Sequence, residues 1–447
     1  MKRIICILII LLLFTASALS ESPLQQEVLS HYAVISQEPV ILHIGIMNSN
    51  NRFNALLDAA FLAKYPNATI EYQAYTAEQI DVLLLGGIDM PDLLLCTSIV
   101  MDKLADQEML YNIYETGFIS AWPEIWIDIS SELEINGRLY GLPVSISQYY
   151  WMWNNPLAER SGAKLPDYPY SWDEFVEIAA DLDYDFDSNG IRDMQLIQGI
   201  ISTKENRKDM IDDAFIAYFE SQMLDHRSLA ADASFCTDEF RHLLDLYSKL
   251  LKIRGTWTAA SSFRGESAYL IRSLGLSDSY FFNDGMHSVV LPPTVDKDNP
   301  EYLGMVDVAV IPLKSSNLEL ALTFCQGMLD PKLNSYYTNF DRFFFKVMPK
   351  CYVYAEYPQM DINGGDISIV SSKTLQPESW DYYEIPLTQE EFDMYTYCRE
   401  HVLMETLLWK KLSREWENCL DNYLNGTFTF EQMTNQLDVA LDMMLNE

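Results

Sequence analysis

The chain has 447 residues, more than one hydrophobic core usually serves, so two or more domains are expected. Hydrophobic residues make up 49 %, too many for a disordered chain. Asp and Glu number 65 against 30 Lys and Arg, and the resulting charge of −35 repels phosphate backbones and anionic lipid, which argues against nucleic acid as a partner.

The first twenty residues read as a secretory signal. Lys2 and Arg3 precede the apolar run IICILIILLLF, and Ala18-Leu19-Ser20 offers a small-x-small cleavage site before Glu21. An uncleaved anchor is the alternative, but the run falls short of the about 20 apolar residues a span needs. No Cys follows it where a lipid anchor would require one, so an exported, soluble protein is expected. Residues 21–37 are polar and read as a tether. VILHIGIM (Val40–Met47) follows as a buried strand, and NSNN as a loop suited to a turn and a helix start. From Arg52 to Tyr65, Phe53, Leu56, Leu57, Ala60 and Phe61 carry a helical spacing that Pro66 ends. TIEYQAY is a strand, a helix starts at Thr76 and stops at Gly86-Gly87, and PDLLLCTS is a short buried strand. This β-α-β-α-β alternation predicts a parallel sheet covered by helices.

Further on, Ser171 and Glu174 sit at the two positions of a helix capping box. GMVDVAVIPLKSSNLELALTFCQGML reads strand, turn, helix, with Asn317 or Ser316 as cap. From about Glu390 the chain reads as helical, closing on an amphipathic helix capped by Thr429 or Thr427. Cys96, Cys236, Cys325, Cys351, Cys398 and Cys419 show no framework spacing, so buried thiols with at most one bridge are expected. There is no CxxC, no HExxH, no GxSxG and no P-loop pattern, so neither zinc nor nucleophilic catalysis has a signature.

Two stretches carry a binding hypothesis. In YGLPVSISQYYWMWNN, alternate residues share a strand face, so Ser147, Tyr149, Trp151 and Trp153 point one way. Rings give large rigid contact area at low entropic cost, which suits a sugar ring or another flat, partly polar solute. The competing reading, a ring-rich core strand, is favoured for Trp151 and Trp153, and cleft contact for Tyr149. In DYDFDSNGIRD, placing Gly190 at the sharp turn puts Asp185, Asp187 and Asn189 at calcium-ligand positions 1, 3 and 5, with the Ile191 carbonyl and Asp193 following. Position 12 is Leu196 rather than an acid, so the set is incomplete, and a solvated Asx-rich turn is the alternative.

FLAKYPNATIEYQAY, GGIDMPDLLLC, NGRLYGLPVSISQYYWMWNNPLAERSGAKLPDYPYSWDEF, GESAYLI, MVDVAVIPLKSSNLELALTF and YLNGTFTFEQMTNQLDVAL occur in that order over most of the chain. Together they make the chain resemble the extracellular solute-binding proteins of bacterial ABC importers, in the branch that includes maltose-binding protein. The resemblance implies an α/β, two-lobed, type II periplasmic-binding-protein-like fold, each lobe a mainly parallel sheet flanked by helices, with the ligand between them. It places residues 1–20 as signal, 21–37 as tether, 38–142 plus 298–330 as lobe 1, and 143–297 plus 331–447 as lobe 2. It further implies a non-enzymatic monomer that binds a small solute, sugar favoured, needs no cofactor beyond the candidate calcium, and docks on ABC permease subunits.

Carried over position by position, the polar loop after the first strand is Asn48-Ser49-Asn50, and the loop after PDLLL is Cys96-Thr97-Ser98, with Asn48, Ser49, Thr97 and Ser98 the candidate ligand contacts. The acidic position at the first crossover is Ser147. Where the family often shows a stacking Trp after GESAYLI, this chain has Ser273-Leu274-Gly275; Trp257, Tyr280 or Phe281 would have to substitute. These departures put maltodextrin itself in doubt. A secreted glycan hydrolase using paired carboxylates, and a ligand-sensing subunit for a membrane kinase, are the alternatives.

Overall fold

The computed structural model describes residues 32–47, 55–84, 86, 90–118, 133–188, 190, 192–197, 213–225, 227–230, 232–254, 269–274, 287–328, 351–352, 369–371, 384–385, 393–394, 397–398 and 400–445. Its first third is the expected alternation. Strand β1 (Ile41–Ile46) leads to helix α1 (Ala55–Lys64), β2 (Thr69–Ala74), α2 (Ala77–Leu84) and β3 (Leu93–Thr97), which runs directly into α3 (Ser98–Asp106). β1 pairs in parallel with β2 on one side and β3 on the other. Thr76 and Gln79 cap α2 reciprocally, and Gly86, at φ +75°, ends it in the left-handed conformation that glycine adopts without strain. β1 is less enclosed than its continuous apolar sequence suggests. Ile41 is exposed and His43 reaches out to Glu71 at 3.2 Å.

The chain then forms a small hairpin, β4 (Glu134–Ile135) with β5 (Arg138–Leu139), and two long crossing elements. β6 (Gly141–Gln148) belongs to the first sheet, and β7 (Tyr150–Asn154) to the second. α4 (Asn155–Ser161) is capped by the Asn154 side chain, and α5 (Trp172–Asp181) carries the full Ser171–Glu174 capping box. β8 (Gln195–Ile197), α6 (Asp213–Tyr218) with a π-helical turn at Phe219–Met223, the hairpin β9 (Leu224–Asp225) and β10 (Ser228–Leu229), α7 (Asp238–Arg254), β11 (Tyr269–Leu274) and β12 (His287–Val290) complete the middle of the chain. The second sheet has the order β12-β7-β11-β8. It is mixed, with only β8 and β11 parallel, where a mainly parallel sheet was expected.

β13 (Tyr302–Val310) returns to the first sheet and α8 (Leu318–Met328) covers it. The short strands β14 (Cys351–Tyr352), β15 (Ile369–Ser371), β16 (Glu384–Ile385) and β17 (Val402–Met404) precede α9 (Leu407–Leu424) and α10 (Phe430–Leu445), the last opened by a Thr429–Gln432 capping box. β15 and β17 both join the first sheet, so the tail read as helical from Glu390 contains a strand, and part of the segment assigned to lobe 2 lies with the first core. The first sheet runs β15-β2-β1-β3-β13-β17, with β6 on the other edge of β13.

Two large cores follow from this topology. In the first, Leu42, Ile44, Leu93 and Leu94 pack under Phe61, Met101, Leu104 and Phe324. The second is an aromatic assembly. Phe215 lies 4.6 Å from Trp416 and 5.1 Å from Tyr247 between ring centroids, and Phe240 lies 5.0 Å from Phe235. A third, small cluster of Tyr150, Leu291, Tyr302, Met394 and Cys398 sits where the chain passes between the sheets. Two sheets, each with its own core, therefore give the two-lobed α/β architecture that was expected. Cys96, Cys236, Cys325, Cys398 and Cys419 are free thiols, and only Cys236 is exposed.

Candidate functional site

In an open α/β sheet, ligands sit outside the carboxyl ends of the strands where the chain reverses its direction of travel. Here that point lies between β1 and β3, because β2 is laid down on one side of β1 and β3 on the other. Pairing persists to the edge, where the Met47 N–H donates to the Leu95 carbonyl at 2.9 Å. What stands at the edge differs from a loop. Cys96 and Thr97 are still strand, and Ser98 is already the first residue of α3. Thr97 takes the N-cap position, but its hydroxyl makes no capping bond, and Ser98 is buried at 2 % exposure. Asn48, Ser49 and Trp257 lie outside the described residues.

β13 and β6 form the floor beside this edge. Asp307 stands opposite Thr97 on one side and Ser145 on the other, and Met305 stands opposite Ser147. Paired residues share a face of the sheet, so Asp307 and Thr97 form one row. Met305, two residues before, follows on the same face and is exposed. Asp307 is buried, and its charge reaches the neighbouring Cys96. Burial first, then the carboxylates of Asp307 and Asp102, holds that thiol well above its ordinary range. Cys96 is therefore an inert core thiol. Sequence reading passed over Asp307 and Met305, although an acid between valines in MVDVAV was the available signal.

The alternate rings of the segment, Tyr149, Trp151 and Trp153, all pack with the second core and differ in burial. Tyr149 lies between β6 and β7, half-buried, with its N–H donating to the Leu303 carbonyl at 3.2 Å. Trp151 is not brought to the switch point. It is 2 % exposed inside the second core, 5.0 Å from Phe175 and edge-on to Trp172 at 5.9 Å. The face shared by alternate residues is already turned to the second core at Tyr149, which packs against its edge. Trp153 is buried there too.

The Asp-rich loop is a separate feature. Carboxylate oxygens of Asp185, Asp187 and Asp193 lie within 4.8 Å of one another. The Gly190 N–H donates to Asp185 Oδ2 at 2.6 Å and the Phe186 N–H to Asp193 Oδ2 at 2.8 Å, so two of the three acids also brace the turn. Ser188 and Gly190 both take positive φ, at 56° and 82°. Asn189 and Ile191 lie outside the described residues.

The whole fold has solved counterparts. The sugar-binding protein MalE from Xanthomonas citri aligns over 91 % of this chain and 97 % of its own, with a TM-score of 0.62 at 12 % identity. A sugar transporter protein from Rhizobium etli, in an open conformation, aligns over 90 % and 99 %, with a TM-score of 0.63 at 13 % identity. The cyclic alpha-maltosyl-1,6-maltose binding protein from Arthrobacter globiformis aligns over 91 % and 99 %, with a TM-score of 0.62 at 14 % identity. No protein-family model matches the chain, and no curated protein sequence matches it. The likeness is one of fold, spanning both lobes.

Proposed function

We propose that this chain is the extracellular solute-capturing subunit of an ABC importer, closing its lobes on a small polar solute and presenting it unchanged to a membrane permease. The observation that carries the reading is the end-to-end match to two-lobed binding proteins, together with a switch point between β1 and β3 that lies beside the chain crossings. A sugar or oligosaccharide is the favoured class, supported by the sugar-binding proteins among the solved counterparts. The signal-like first twenty residues place it outside the cytoplasm in this reading. The protein acts as a monomer and performs no chemistry of its own.

The test is a thermal-shift screen of mono- and oligosaccharides with product analysis alongside. A binder at one hundred times its Kd gains about 2.7 kcal/mol of stability, and the sugar is recovered intact. Steady product release, or a panel without one saturable shift, overturns the reading. We also propose that the Asp185–Asp193 loop takes calcium. Millimolar calcium should raise the melting temperature of chelator-treated protein, and an unchanged value rejects the ion.

A further inference from the structure

Beside the switch point, three parts of the chain meet in a buried polar junction. Asp102 lies on α3, whose Met101, Leu104 and Ala105 belong to the first core. Arg227 lies in the turn of the β9–β10 hairpin, whose Leu224 and Leu229 pack on the second core. The Arg227 guanidinium grips both carboxylate oxygens of Asp102, Nε to Oδ1 at 3.1 Å and Nη2 to Oδ2 at 2.6 Å. The two side chains are only 6 % and 9 % exposed. The third part is the passage from β17 to α9. The Leu407 N–H donates to Asp102 Oδ2 at 3.1 Å, and Thr406 donates its N–H and hydroxyl to Glu220 Oε1 at 2.7 and 3.1 Å. Two acidic side chains, Asp102 and Glu220, thus accept from the first N–H groups at the amino end of α9.

Three features distinguish this junction from an ordinary ion pair. It is two-pronged and enclosed, so losing one partner strands a charge away from water. It joins residues of different cores, 125 positions apart. And Arg227 takes φ 64°, a left-handed conformation that a non-glycine residue keeps only where its surroundings hold it. Asp102 also stands one helical turn after Ser98, the first residue of α3 at the switch point.

We propose that the Asp102–Arg227 pair is an interlobe clasp: it holds the two lobes together at the third chain crossing and biases the protein toward the closed arrangement before any solute binds. A conformational equilibrium shifts by the difference in contacts between its two states. The pair supplies such a difference only if lobe rotation separates α3 from the hairpin. The inference rests on the two-lobed reading, and it is tested without solute, so its failure is distinguishable from failure of the solute-binding reading.

The experiment is small-angle scattering of the ligand-free full chain and of Arg227→Met, Arg227→Lys and Asp102→Asn, each first checked for cooperative urea unfolding. The expected result is a larger radius of gyration and maximum dimension for Arg227→Met and Asp102→Asn than for the parent. Arg227→Lys, which keeps the charge but loses the fork, should fall between. Curves superimposable on the parent's for cooperatively unfolding variants overturn the clasp. So does a parent whose scattering already shows separated lobes. Should Arg227→Met fail to fold, Arg227→Lys and Asp102→Asn decide.

Discussion

Replacing Trp151 by Ala separates a core ring from a solute-stacking ring. The indole lies in the second core against Phe175 and Trp172 and shows almost no surface. Truncating a fully buried Trp costs about 3–5 kcal/mol, because the lost transfer energy is joined by a cavity that neighbours fill incompletely. Each of its two ring pairs accounts for about 0.5–1.5 kcal/mol of that. For folded units of 150–250 residues, 1 kcal/mol moves the melting temperature by about 2–4 °C, so Trp151→Ala should melt about 10 °C below the parent. Trp151→Phe keeps part of the packing and should lose less than half as much. Urea titration at fixed pH gives the free energy, and calorimetry checks whether the two lobes unfold together. Tyr149→Ala is the control. It is half-buried at the edge of the same core, so it should cost less stability than Trp151→Ala and, in the proposed reading, some solute affinity as well. The reasoning is refuted if Trp151→Ala melts like the parent while abolishing the solute-induced shift.

Other consequences are as concrete. Burial raises the Glu220 carboxyl from 4.5 to about 8, against the lowering effects of the Thr406 bonds and Arg227. Between those values the folded state keeps a proton that the unfolded chain has released. Its contribution to stability is therefore full below 4.5 and is lost as the pH rises through 8. Glu220→Gln keeps an acceptor for Thr406 and should flatten the fall in urea midpoint between pH 5 and pH 8.5; an unchanged slope rejects the assignment. Asp92 accepts from the His43 N–H at 3.0 Å, the Ser315 hydroxyl at 3.2 Å and the Asn317 amide at 3.1 Å. Asp92→Ala strands these donors and should cost about 2–4 kcal/mol, with Asp92→Asn partly restoring it in the same denaturation assay. A Cβ at Gly45 would stand 2.8 Å from both Leu94 Cδ1 and Tyr75 Cε2. Gly45→Ala should therefore destabilise by about 1–3 kcal/mol, measured by thermal unfolding; a neutral result means the β1–β3 packing yields more readily than its geometry indicates.

Local chemistry made much of the fold legible. The Ser171–Glu174 box is written within four residues and appears as written, since both of its bonds are local. The β1-α1-β2-α2-β3 run is likewise set by near-neighbour periodicity and glycine stops. Asn317 shows where local reading ends. It stands just before α8 as expected, yet its amide bonds Asp92 and the Ile41 carbonyl. Helix capping and long-range bonding compete for one side chain, and only the fold decides between them. The switch point was half legible. Thr97 and Ser98 stand at the end of a strand that sequence reading already placed, whereas the pairing of Asp307 with Thr97 and Ser145 is recognisable only once β13 is seen against β3 and β6.

The crossings were the least legible part, for a reason that strand geometry makes plain. Alternate residues of a strand face opposite sides, and where a strand spans two bodies those sides belong to different cores. Val402 and Met404 pack into the first core while Leu403, between them, packs into the second. β13 is shared end to end instead, giving Leu303 at its start to the second core and Val306, Val308, Ala309 and Val310 to the first. In sequence such a segment is a short apolar run, which reads equally well as a strand or as the start of a helix. Its double burial is what ties the lobes, and the residues that make it are chosen by two partners at once. A Leu403→Ala substitution should therefore loosen the second core while leaving the β17–β13 pairing of the first in place. Hydrogen exchange can resolve this residue by residue. Equal loss of protection in both cores would mean that the crossing belongs to one cooperative body.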